Sequence, residues 1–154
     1  MNQLLRVDTV RARLQENPAL AREVIEALPT TRDGFCQLSR LRPSKGEGYI
    51  QLSWEGANKF ATLQEVLLWS KGEAKQPDQH ISHLCDKPRC AVKEHVVLET
   101  PAINNSRKNC GMILDCPHCE LKLQACNHVP RCIQYVEGFS DWDDFMQKGL
   151  HIRN

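Results

Sequence analysis

The sequence predicts a small domain of mixed helices and strands that is held together by metal ions and not by disulfides. Three observations predict it. Helical signals fill the first residues, short alternating stretches and a strand–loop–strand–helix run follow, and eight Cys with six His stand among 154 residues. Most of those Cys and His lie between His80 and Cys132. Hydrophobic content of 41% with 25% charged residues is ordinary for a globular chain, and the length suits one domain with a modest core. No apolar run approaches the roughly 18 residues that a membrane helix needs, and MNQLLRVDTVRARLQ has no apolar signal core. Thiols interleaved with imidazoles at ligand spacings, without a secretory signal, point to metal binding in a reducing, intracellular compartment.

Charge narrows the partners. The formal net charge is only +1. Two Cys3His zinc sites would bring six thiolate charges against four on the metals, moving +1 to about −1. DNA contact must then rest on local basic patches and not on a global positive field, which counts against a tight, non-specific DNA coat.

Residues 1–33 read as helical. Asn17-Pro18 is a helix start, with Asn as N-cap and Pro in the first turn, and Leu20, Val24 and Leu28 then recur every four residues. Arg6, Arg11, Arg13 and Arg22 decorate this segment as a solvated face, with phosphate contact the lesser reading. From Gly34 the period changes. Phe35-Cys36-Gln37-Leu38 and Gly48-Tyr49-Ile50-Gln51-Leu52 alternate like strands, with Arg40, Arg42 and Lys45 in the turn between them. A basic turn joining two antiparallel strands suits a ribbon laid in a DNA groove. Thr62 to Lys71, with Leu63, Val66, Leu67 and a closing Gly72, predicts a buried helix, and Gly72–Gln79 a polar loop.

The chemistry concentrates next. In His80-Ile81-Ser82-His83-Leu84-Cys85-Asp86-Lys87-Pro88-Arg89-Cys90 and Ala91-Val92-Lys93-Glu94-His95, four residues separate Cys85 from Cys90 and Cys90 from His95. That is soft-ligand chemistry at loop spacing, three corners of a tetrahedral zinc. The fourth ligand must come from elsewhere, and Cys36 is the only Cys upstream. Such a zinc would staple the early strands to the later loop. Val96-Val97-Leu98 predicts a short strand, and Thr100-Pro101 opens a helix on which Asn104 and Arg107 share a face.

The run SHLC-x4-C-x4-H, an Asn nine residues after that His, and R-x2-C resemble the ββα-metal, or His-Me finger, nucleases, and within them the His-Cys box homing endonucleases. The resemblance spans roughly Cys36 to Cys132. It implies an α+β fold with a ββα-metal core, an antiparallel DNA-binding sheet that reads the major groove, and two structural zinc sites in a homodimer. By it His83 corresponds to the general base and Asn104 to the single protein ligand of the catalytic Mg²⁺. Cys36, Cys85, Cys90 and His95 correspond to the first zinc site, and Cys110, Cys126, His128 and Cys132 to the second. Arg40, Arg42, Lys45, Lys59 and Arg107 are the expected DNA contacts.

The chain departs from that pattern twice. The family carries an Arg on a strand before the zinc loop, to contact the scissile phosphate. The nearest residue here is Lys59, in Gly56-Ala57-Asn58-Lys59-Phe60, which supplies charge but no bidentate fork. Cys116-Pro117-His118-Cys119 lies inside the second zinc segment as a competing C-x2-C, and the reading favours Cys110, Cys126, His128 and Cys132 over it. His80 reads as a surface or supporting neighbour of the catalytic strand, and His151 as tail.

The chemistry is coherent from the residues alone. A neutral His can take a proton from water near physiological pH once its other ring nitrogen is held, and an Asn oxygen suits Mg²⁺, which borrows further oxygens from water and substrate phosphate. The organisation expected is one domain over 1–154, in four segments: helices over 1–33, the nuclease core with the first zinc site over 34–109, the second zinc module over 110–132, and a tail over 133–154. The tail sets Tyr135, Phe139, Trp142 and Phe145 among acidic residues, for burial on its own core or across a dimer. The expected function is Mg²⁺-dependent hydrolysis of double-stranded DNA at a defined site, in the nucleus if the host is a eukaryote. The alternatives are a degradative nuclease with the same chemistry and a zinc-stabilised nucleic-acid-binding or scaffold module with an inert nuclease site.

Overall fold

The computed structural model describes residues 2–43, 49–108, 110, 126 and 128–133, and the backbone of 113–115 and 122–124. Lys45, the 116–119 thiols and the acidic tail lie outside the described residues. Helix α1 spans Gln3–Glu16, capped by the Asn2 side chain on the Leu5 amide. Asn17 then caps α2, Pro18–Glu26, through the Leu20 amide, with Pro18 in the first turn where its missing N–H costs nothing. The helical reading of residues 1–33 runs too long. Thr30–Asp33 is strand β1, antiparallel to β2, Cys36–Ser39, with Thr30 opposite Ser39 and Asp33 opposite Cys36.

That pairing corrects the expected ribbon. β2 pairs backwards with β1, and β3 (Gln51–Trp54) pairs forwards with β4 (Ala57–Thr62). Arg40 and Arg42 therefore lie on the connection between two hairpins and not at the tip of one. β4 has no counterpart in the sequence reading. Its hairpin turns through Glu55 and Gly56, both at positive φ (47° and 79°), the primed geometry whose twist matches that of the flanking strands. The register shifts between the pairs Leu52–Ala61 and Trp54–Ala57, so the extra residues fall on β4, where Lys59 also takes a left-handed φ of 47°.

Helix α3, Leu63–Ser70, is closed by a full capping box: Thr62 accepts from the Glu65 amide, and Glu65 accepts from the Thr62 amide. Leu63, Val66, Leu67, Leu68 and Trp69 are all buried, and Leu14, Val24, Ile50, Leu52 and Phe60 pack into the same apolar cluster. Beyond it, β5 (His80–His83) pairs antiparallel with β6 (Val96–Glu99), setting His80 opposite Glu99 and His83 opposite Val96. A single 3-10 turn, Lys93–His95, leads into β6. Helix α4, Pro101–Ser106, starts on Thr100, whose side chain accepts from the Ile103 amide. The backbones of β7 (Ile113–Asp115) and β8 (Lys122–Gln124) form a fourth two-stranded antiparallel pair. The described residues form an α+β arrangement of helices and small antiparallel strand pairs.

Candidate metal centres and active site

The distant strand β2 reaches the zinc loop through its backbone. The Ser39 amide donates to the Arg89 carbonyl at 2.7 Å, and the Ala91 amide donates to the Gln37 carbonyl at 2.8 Å. This short ladder carries Cys36 to Cys90. The Leu84 amide donates to the His95 carbonyl at 2.7 Å and closes the loop on itself. As a result Cys36, Cys85, Cys90 and His95 converge, with every ligand atom within 4.8 Å of the others. His95 Nδ1 lies 3.3 Å from Cys90 Sγ and 3.6 Å from Cys36 Sγ. A tetrahedral zinc with ordinary bond lengths spaces sulfur and nitrogen about 3.5 Å apart, so the quartet fits the ion.

The thiols alone are electrostatically frustrated. Hydrogen bonds with Cys36 and then Cys85 drive Cys90 far down toward thiolate, while hydrogen bonds with Cys36 and Cys90, together with burial, push Cys85 far up. At Cys36 the Cys85 hydrogen bond pulls down, but Cys90 and burial outweigh it and hold the thiol at about 11. A divalent cation removes that conflict by binding all the thiolates together.

A second quartet gathers Cys110, Cys126, His128 and Cys132, again within 4.8 Å. His128 Nδ1 is 3.1 Å from Cys110 Sγ, 3.4 Å from Cys126 Sγ and 3.7 Å from Cys132 Sγ. Burial raises the Cys126 thiol, but hydrogen bonds from the Cys132 and His128 backbones and the His128 ring bring it down to about 6. His128 Nε2, the far nitrogen, meets Ser106 Oγ at 2.9 Å and so orients the ring from α4.

His83 and Asn104 stand on the hairpin and helix between these clusters. His83 ends β5 half-buried, its Nε2 3.3 Å from the Cys90 carbonyl oxygen. Burial lowers its pKa, and the Cys90 carbonyl offsets part of that. With Nε2–H donating to the carbonyl, Nδ1 keeps its lone pair. Asn104 lies on α4 with Oδ1 2.8 Å from Ser82 Oγ and Nδ2 3.2 Å from His80 Nδ1. His80 is thus the neighbour of Asn104.

The expected DNA contacts divide. Arg40 and Arg42 are exposed, and Arg40 Nε donates to Thr31 Oγ1 at 3.1 Å. Lys59 is exposed on β4, its amide held by Ser53 Oγ at 3.0 Å. Arg107 is the correction. It is only 6% exposed, its Nε donates to Glu99 Oε2 at 2.7 Å, Nη2 pairs with Glu99 Oε1, and Nη1 reaches the Pro130 carbonyl at 2.8 Å. A guanidinium committed on all sides inside the fold has no fork left for a phosphate. Ser82 and Glu99, both buried, escaped the sequence reading because a Ser inside a short strand and a Glu at the end of one carry no spacing signal.

The fold and its two Cys3His quartets define a zinc-binding α+β protein. The zinc-binding loop region of homing endonuclease, as a family, matches residues 33–144, from β1 through both quartets, and the chain belongs to that His-Cys box family. No curated protein and no solved structure matches the chain.

Proposed function

We propose that the chain is an endonuclease that hydrolyses phosphodiester bonds of double-stranded DNA with Mg²⁺. The observation that carries the reading is His83: one ring nitrogen is held by the Cys90 carbonyl and the other keeps a lone pair. Burial favours its neutral form, the form that can accept a proton from water. Because Cys90 is itself in the first quartet, a zinc there would fix the base without touching substrate. Asn104 on α4 offers a hard amide oxygen, a donor type that suits Mg²⁺, which takes its other oxygens from water and phosphate. When bound, the ion supplies charge neutralisation at the scissile phosphate and the leaving oxygen.

Lys59 on β4 takes the place of the family's Arg at the phosphate, and Arg40 and Arg42 extend the contact along the duplex. Lys59 supports this by its exposure and by its left-handed φ within the bulged stretch of β4, a device that re-aims side chains. Two chains related by a two-fold axis each cut one strand of a pseudo-palindromic site. A DNA substrate places the protein inside the cell, in the nucleus where there is one.

The test is plasmid cleavage with Mg²⁺ followed by end mapping, run beside His83→Ala. The variant is expected to keep two zinc per chain and the parent melting temperature while cutting falls by roughly 10²–10⁴-fold. Cutting at the parent rate would overturn the base assignment. No cutting by the parent would favour an inert binding module, and a smear of ends would favour a degradative enzyme over a site-specific one.

A further inference from the structure

Behind Asn104 lies a buried polar chain. Ser82 is 1% exposed and Glu99 9%. Ser82 Oγ sits 2.7 Å from Glu99 Oε2 and 2.8 Å from Asn104 Oδ1. Both neighbours are acceptors as they stand, and a hydroxyl has one proton to give. Glu99 has the stronger claim to it. Arg107 grips both carboxylate oxygens, and although burial raises Glu99, the Arg107 and Ser82 hydrogen bonds outweigh it and hold the carboxyl below its usual range. A hydroxyl donating to a carboxylate makes the stronger, charge-assisted bond.

Ser82 therefore has only lone pairs left for Asn104. An amide facing a lone pair is satisfied by its NH₂ end, and the two ends exchange by a half-turn about a broad, two-fold torsion. We propose that Arg107, Glu99 and Ser82 form a polarised relay that turns Asn104 so that Nδ2 donates to Ser82 and Oδ1 faces outward, toward a divalent cation. The outward oxygen lies beside His80 Nδ1, whose N–H tautomer donates to it while no cation is bound. Ser82 is thus a positioning residue, acting on the metal only through Asn104. The relay also reaches the second quartet, since Arg107 Nη1 lies 3.4 Å from Cys132 Sγ. The inference rests on Asn104 as the Mg²⁺ ligand of the proposed nuclease.

Ser82→Ala is a mild probe, because both Glu99 oxygens keep Arg107. The full zinc-loaded chain is compared as parent, Ser82→Ala, Ser82→Thr and Asn104→Ala. Two quantities are read: the Mg²⁺ concentration for half-maximal plasmid cutting, and the solvent exchange of the Asn104 side-chain amide protons by NMR, assigned by their loss in Asn104→Ala. Ser82→Ala is expected to raise the Mg²⁺ requirement by about 10–100-fold, the usual cost of losing a partner that orients a metal ligand, with cutting recovered at saturating Mg²⁺. The Asn104 protons should exchange slowly in the parent, fast in Ser82→Ala, and slowly again in Ser82→Thr.

Fast exchange in the parent overturns the relay, and it decides the matter even where Ser82→Ala fails to fold. So does an unchanged Mg²⁺ requirement in Ser82→Ala where Asn104→Ala raises it. If Asn104→Ala leaves the requirement unchanged, the metal assignment fails instead, and the exchange rates alone decide which way the amide points.

Discussion

Two parts of the described chain are held by different forces. Among the described residues, fourteen of the seventeen side chains in the buried apolar cluster precede Lys71, and Ile81, Ala91 and Val96 come from the metal-rich part. The first part is closed by helices α1–α3 packed on the β3–β4 hairpin. The second, from His80 to Ile133, buries thiols, His95, Ser82, Glu99 and Arg107 where another protein would bury leucines. The difference teaches what each can do. Apolar packing is non-directional and tolerates rearrangement, whereas a tetrahedral ion and a bidentate ion pair fix positions closely. The residues proposed as base and metal ligand, His83 and Asn104, sit in the second part.

Removing metal should separate the parts most strongly, because a structural zinc contributes roughly 10–16 kcal/mol to the segment it folds. The protein is expected to carry two zinc per chain. A strong chelator should abolish amide protection in β5, β6 and α4 while α1–α3 keep most of the far-ultraviolet helical signal. Simultaneous collapse of both would show one cooperative unit and break the comparison. Cys126→Ser should reduce the content to one zinc and Cys119→Ser should leave it at two; the reverse result would reassign the second site.

The converse experiment is smaller in effect. Phe60, 2% exposed, lies in the apolar part, and Phe60→Ala should cost about 3–5 kcal/mol through lost transfer energy and a cavity. Zinc content should stay at two per chain. A lower content would mean that the apolar core is needed to assemble the quartets.

The smallest expected effect is on acid stability. Burial raises the Glu65 carboxyl, but hydrogen bonds from Arg11 and from the Thr62 amide outweigh it and lower the pKa from 4.5. A depressed carboxylate stabilises the fold above its unfolded value, and that contribution is lost as pH falls through the folded one. Glu65 is partly exposed, so the loss should be about 1 kcal/mol or less. Glu65→Gln should flatten that limb in melting curves taken between neutral and acid pH. An unchanged limb would assign acid sensitivity to the metal sites alone.

What could be read in the sequence was local. Asn17 with Pro18, and Thr100 with Pro101, announce helix starts because capping is satisfied within one turn. Cys85, Cys90 and His95 announce an ion because a loop of that length brings three donors round one point. The resemblance supplied the partners that spacing left open, Cys36 among them.

Tertiary structure decided the rest. Strand β2 has alternation enough to pair with either neighbour, and the choice of β1 over β3 depends on which hairpin closes over the core, a long-range matter that periodicity does not encode. Arg107 reads the same on paper whether it faces a phosphate or a carboxylate. Only the convergence of β6, α4 and the Pro130 backbone puts it beside Glu99 and out of reach of DNA. A hydrogen-bond relay such as Ser82–Glu99–Arg107 has no motif for the same reason: its members are ordinary residues whose charge and direction acquire meaning only when burial removes water as the competing partner.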